Sequence, residues 1–204
     1  MTATATSDAN IAAKIQHVSQ GDALVVKSGG TFNVEAGGAI QIGGVDLTAS
    51  LASKGNDAAR YVAAGSTKTL TVAANNNQTI KLDTLTGSVV TLPPATGSGA
   101  RFKFLVMVKA TSNSHIVQVA NANDFMIGTI EGVSDDPATV KGWIAANSGT
   151  VATNSDTITL NRSTTGSVSV GEVFELEDVA ANTWLVTGMI TQSGTEATPF
   201  SAVV

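Results

Sequence analysis

Between residues 24 and 47 the chain repeats a short unit, a few residues of alternating character followed by a glycine pair. The run reads Leu24-Val25-Val26-Lys27, Gly29-Gly30, Thr31-Phe32-Asn33-Val34-Glu35, Gly37-Gly38, Ala39-Ile40-Gln41-Ile42, Gly43-Gly44, Val45-Asp46-Leu47. Alternation of apolar with polar residues is the period of a strand. Each glycine pair supplies the positive φ that a sharp turn needs. Strands this short bury almost nothing alone, and an isolated hairpin in water is marginal. The segment therefore needs partners, and identical copies of itself are the nearest at hand. That points to an assembled protein rather than a free enzyme.

The rest of the chain reads as strands and turns. Residues 1–20 are expected to form a flexible arm, with Ile11, Ile15 and Val18 on one side of a helical turn. Residues 21–65 are expected to form a short-strand segment that carries oligomerisation and capsid contact, its strands over residues 21–47 followed by a short helix over residues 49–54. A boundary is expected near Gly65, and residues 66–204 form a β-domain. Its candidate strands include Leu70–Val72, Ile80–Leu82, Val90–Leu92 and Arg101–Val108, the last apolar enough for cover on both faces. Further candidates are Ile116–Val119, Phe125–Ile130, Val140–Ile144, Thr157–Leu160, Val168–Val170, Glu172–Leu176, Trp184–Val186 and Met189–Ile190. Pro93-Pro94 ends one of them, and Asn, Asp and Gly clusters separate the others. Many short strands with hardly a helical stretch predict an all-β fold, an antiparallel β-sandwich or jelly-roll-like domain.

Composition narrows the function. Charged residues are only 13% of the 204, about half the usual share, which suits a chain covered by partners. The net charge of -5 and pI near 4.8 predict no nucleic-acid partner. The loose trio Arg101, Lys103 and Lys109 reads as a solvated face. No stretch is apolar over a bilayer's width, so no membrane partner is expected. The first residues lack a signal peptide's basic start and apolar run, so synthesis and retention in a cytoplasm are expected. With no cysteine, disulfides and thiolate chemistry are excluded.

Catalytic patterns are weak. The two histidines, His17 and His115, lack metal-ligand spacing, and His115 reads as a surface or rim residue. Ser114, His115 and Asp124 could be drawn as a triad, but without a nucleophile elbow the signal is negligible. Asp135-Asp136 before Pro137 reads as a turn. Glu172, Glu175, Glu177 and Asp178 read as a solvated strand face. The glycine pairs lack the Lys-Ser/Thr of a phosphate loop. Trp143 and Trp184 read as core residues. The expectation is no catalytic, cofactor-binding or metal residue, and no cofactor.

Three stretches together resemble structural proteins of tailed bacteriophages. They are residues 29–47, the succession Thr79–Asp83, Val89–Pro94 and Gly99–Phe104, and the Trp184-Leu-Val-Thr-Gly188 strand. The resemblance is to head decoration, or capsid cement, proteins. It implies a non-enzymatic homotrimer on the outer surface of the virion, bound to the phage major capsid protein and tying its subunits together. A trimer would spread many weak contacts over several subunits. A tail fibre or receptor-binding β-domain is the alternative, disfavoured by the lack of a coiled-coil shaft. A glycan hydrolase is a third reading. It would need two carboxylates roughly 5 to 10 Å apart, from among Asp135, Asp136, Asp156 and Glu172.

Overall fold

The computed structural model describes residues 60–136 and 139–204 continuously, with residues 15–18, 23–26, 28, 31, 41–42 and 45–46 before them. The chain divides into two compact units, Met1–Asn56 and Asp57–Val204. In the first, β1 (Ile15–Val18) pairs antiparallel with β2 (Ala23–Val26), and β3 (Gln41–Ile42) with β4 (Val45–Asp46). Ile15–Val18 is thus a strand, not the helical turn expected. A single helical turn gains too little to nucleate, whereas Val18 finds Ala23 across a short connection. The glycine pairs and the helix expected over residues 49–54 lie outside the described residues.

The larger unit is all-β, as expected, with twelve strands among the described residues: β5 (Tyr61–Ala63), β6 (Thr67–Thr69), β7 (Gln78–Leu82), β8 (Val89–Thr91), β9 (Arg101–Val106), β10 (His115–Gln118), β11 (Phe125–Ser134), β12 (Val140–Ile144), β13 (Thr157–Leu160), β14 (Val173–Ala180), β15 (Thr183–Gln192) and β16 (Phe200–Ser201). They form a five-stranded sheet, β16-β13-β10-β8-β6, and a seven-stranded sheet, β12-β11-β15-β14-β9-β7-β5. Buried residues of both sheets make one continuous core, as in a sandwich.

Strand direction corrects the antiparallel expectation. From β5 to β10 the chain alternates between the sheets, so β5, β7 and β9 lie parallel in one and β6, β8 and β10 parallel in the other. The chain winds in coils, and each coil lays its strand beside that of the previous one. A parallel pair needs a crossover connection, and here the crossover is a strand of the facing sheet. β11 also runs parallel to β15, while the β14–β15 hairpin is antiparallel. The sheets are therefore mixed.

One row of side chains crosses all seven strands on the inner face: Val62, Ile80, Phe104, Phe174, Gly188, Ile130 and Trp143. The Phe104 and Phe174 rings stack with centroids 5.1 Å apart. Gly188 makes room for them, since a Cβ there would sit 2.4 Å from that of Phe174. Trp184 is fully buried and meets Phe102 at 5.7 Å, while Trp143 packs against the core from a half-buried position.

Three local expectations are revised. Val72–Asn75 is a one-turn helix, α1, because the Thr71 hydroxyl accepts from Ala74 N and the Asn75 side chain accepts from Thr71 N in return; this reciprocal cap outweighs strand propensity. Residues 168–170 are irregular, held by the carboxylate of Glu172. Arg101–Val106 is buried on one face only, with Met107 beyond it 42% exposed.

Candidate interaction surface

The outer face of the seven-stranded sheet is ordered by the same registers. One row reads Tyr61, Thr79, Lys103, Glu175, Thr187, Thr129 and Ile144. The next reads Ala63, Lys81, Leu105, Val173, Met189, Glu131 and Gly142. Exposed apolar side chains stand at both ends and in the middle: Tyr61 at 60%, Met189 at 52% and Ile144 at 76%. Charges on this face are matched rather than massed. Arg101 pairs with Glu177 at 3.0 Å, and Lys103 lies directly opposite Glu175. The Arg101–Lys103–Lys109 trio is exposed, and two of its members face carboxylates.

The buried ionisable groups hold the chain together. His115 is fully buried, against the expectation of a rim position, and both ring nitrogens are engaged. Ser88 N–H donates to Nδ1 at 3.0 Å and Nε2 lies 2.8 Å from Val108 O. A backbone amide can only donate, so the proton sits on Nε2 and the ring is neutral. Burial pushes its pKa down, against the Val108 hydrogen bond and the charge of Asp83.

Glu172 and Asp178 are likewise buried, correcting the solvated face expected of them, while Glu175 and Glu177 do lie on the outer face. Glu172 accepts from Ser167 N and Ser169 N, each at 2.7 Å. Burial nonetheless raises its pKa. Asp178 accepts from Thr96 N, Gly97 N and Ser98 N and from the Ser98 hydroxyl. Burial would raise its pKa, but the hydrogen bonds led by Ser98 outweigh it and bring the value down. Asp156 accepts from Thr157 Oγ1, Val203 N and Val204 N.

The expected combinations do not come together as chemistry. His115 is occupied by backbone on both sides, and Asp124 accepts from Ala95 N and Asn121 Nδ2. Ser114, His115 and Asp124 therefore have no relay among them. Of the four carboxylates considered for glycan hydrolysis, Asp156 and Glu172 are bound to backbone amides. Asp135 and Asp136 are exposed in the bend after β11, where Asp136 N donates to Ser134 Oγ. His17 falls on β1, opposite Leu24. No cluster of three or more metal-ligating side chains occurs among the described residues. A shallow recess of about 300 Å³ opens beside Glu172, lined by Val170, Val173, Met189 and Ile190.

Parity along the strands would have found the buried charges. Phe174, Leu176 and Asp178 are successive inward positions of β14, and His115 shares the parity of Val117. Compared with protein-family models, curated proteins and solved structures, the chain matches none. What the fold and surface define is a β-sandwich whose seven-stranded sheet carries paired charges and exposed apolar side chains on its outer face.

Proposed function

We propose that this chain is a non-enzymatic structural protein of a phage virion, a decoration protein that acts as a homotrimer on the outside of the head and ties major capsid subunits together. The observation that carries the reading is the outer face of the seven-stranded sheet. It is seven strands wide, its charges are paired across strands, and Tyr61, Met189 and Ile144 stand exposed on it; this is the face assigned to the capsid contact. The commitment of His115, Asp156, Glu172 and Asp178 to backbone groups supports it. The sequence resemblance over residues 29–188 supplies the particular setting. Among the described residues Tyr61 is the one aromatic prominent on the surface, which gives little support to a glycan-stacking tail tip.

The test is mass and particle binding together. Light scattering should give three chains, and the protein should sediment with purified heads of the phage that encodes it and raise their resistance to heat. A monomer that stays in the supernatant would overturn the proposal.

A further inference from the structure

Among the described strands β12 is the edge of the seven-stranded sheet, paired on one side only, with β11. The ladder to β11 fixes which backbone groups are spoken for. Ala145 N donates to Gly128 O at 3.0 Å and Ser134 N to Thr139 O at 3.0 Å. Hydrogen-bonded pairs recur every second residue in an antiparallel ladder. The main-chain groups of Lys141 and Trp143 therefore face β11, and those of Val140, Gly142 and Ile144 point away from it. Among the described residues no strand pairs with that side of β12, so three N–H and three C=O groups line the edge.

Edges are ordinarily guarded by charge, proline or a bulge. Here the register to β11 runs without a shift, and no proline lies within Val140–Ile144. The single charge, Lys141, is held by Glu196 at 2.8 Å and so is neutralised. Val140 and Ile144, 63% and 76% exposed, flank Gly142 on the outer face. This arrangement is symmetric about Gly142.

We infer that β12 pairs antiparallel with β12 of a second copy about a two-fold axis at Gly142, joining two seven-stranded sheets edge to edge. Sliding the register by two residues leaves donors and acceptors unmatched, whereas centring on Gly142 uses every one. Val140 of each copy then lies beside Ile144 of the other. Lys141 stands across from Trp143 of the other. Because Glu196 neutralises Lys141, no like charges are forced together at the axis. A single edge strand buries far less than the roughly 1,200 Å² of an ordinary stable interface. The pairing is therefore weak between free chains and takes hold where copies are already held close. The inference does not depend on the virion proposal and concerns the chain in any setting.

The absence of native cysteine makes a clean trap possible. A Cβ at Gly142 meets only Thr129 Cγ2, at 3.8 Å, so Gly142→Cys leaves the fold intact. Paired residues at the axis would have Cα atoms about 5.5 Å apart, within disulfide range. Under mild oxidation Gly142→Cys should form chain-to-chain disulfides at least roughly tenfold faster than Tyr61→Cys on the opposite edge. Val140→Cys and Ile144→Cys should link to each other when mixed, and neither to itself. Adding Ile144→Lys to Gly142→Cys should slow linking by roughly tenfold. Linking of Gly142→Cys no faster than Tyr61→Cys, or self-linking of Val140→Cys at the same rate as Gly142→Cys, would overturn the inference.

Discussion

Asp124 and Asp178 divide four successive backbone amides between them: Ala95 N donates to Asp124 at 3.0 Å, and Thr96 N, Gly97 N and Ser98 N donate to Asp178 at 2.7 to 3.0 Å. The loop after Pro93-Pro94 is thereby pinned across the end of the seven-stranded sheet, and Thr96 forms an isolated bridge to Ala181. The two carboxylates are tuned apart. Burial raises the pKa of Asp124, whose Oδ1 has no hydrogen-bond partner, while its donors bring that of Asp178 down.

That division predicts unequal costs. Asp178→Asn turns an amide NH2 toward donors that need an acceptor, and a buried donor left unpaired costs about 1–3 kcal/mol. Asp124→Asn keeps one acceptor for Ala95 N and removes a poorly solvated charge. Urea denaturation should show Asp178→Asn destabilised by at least about 2 kcal/mol and Asp124→Asn by under about 1 kcal/mol. Equal losses would show that the two groups do not differ as described.

Glycines of this sheet should separate by what a methyl group would meet. At Gly188 it would lie 2.4 Å from Phe174 Cβ and 2.5 Å from its Cα, atoms that cannot swing aside. At Gly142 it meets one methyl at 3.8 Å. Overpacking of this kind costs about 1–3 kcal/mol or more, so Gly188→Ala should lower the denaturation midpoint clearly. Gly142→Ala should leave it within experimental scatter.

His115 gives the fold a pH dependence with a definite sign. Its folded pKa lies below the ordinary 6.5, so the unfolded chain binds the proton first. The stability it contributes is complete above 6.5 and is lost as pH falls from there through the folded value. Protonation also turns Nδ1 into a donor facing Ser88 N–H. Asp124 and Glu172, with raised values, act in the opposite sense, gaining stability as pH falls. Comparison with His115→Asn isolates the histidine. The advantage of the native chain over this variant should be larger at pH 7.5 than at pH 5.5, and a difference independent of pH would contradict the buried neutral ring.

The all-β fold was legible because alternation and turn residues are local signals. Val140–Ile144 and Thr157–Leu160 are strands over the very residues that alternation marks. Strand direction was not legible. Whether β7 lies parallel to β5 is decided by β6 joining the other sheet, and nothing in Thr67–Thr69 states which sheet will accept it. The buried charges were half legible. Parity puts Asp178 inward with Phe174 and Leu176, but its neighbours Glu175 and Glu177 drew it into a solvated face. His115 was obscured by the turn residues Thr111–Ser114 before it. Gln192 follows the same rule, on the inward parity of Trp184, Val186, Gly188 and Ile190.

Gln192 joins three separate parts of the domain through one buried amide. Its Oε1 accepts from Trp143 Nε1 at 2.6 Å, and its Nε2 donates to Thr164 O at 2.6 Å and Ala197 O at 2.7 Å. The first bond steadies β12, the second the loop before β14, and the third the segment leading to β16. Gly132 must be a glycine for this to fit, since a Cβ there would lie 1.9 Å from Gln192 Oε1. Gln192→Leu keeps similar bulk but strands one donor and two acceptors. With one such group costing about 1–3 kcal/mol, the substitution should destabilise the domain by about 3 kcal/mol. It should also shift the emission of Trp143 while Trp184, fully buried away from this amide, stays unchanged. Single-tryptophan versions, Trp143→Phe and Trp184→Phe, separate the two signals. A shift confined to Trp184 would show that the amide does not anchor the edge strand.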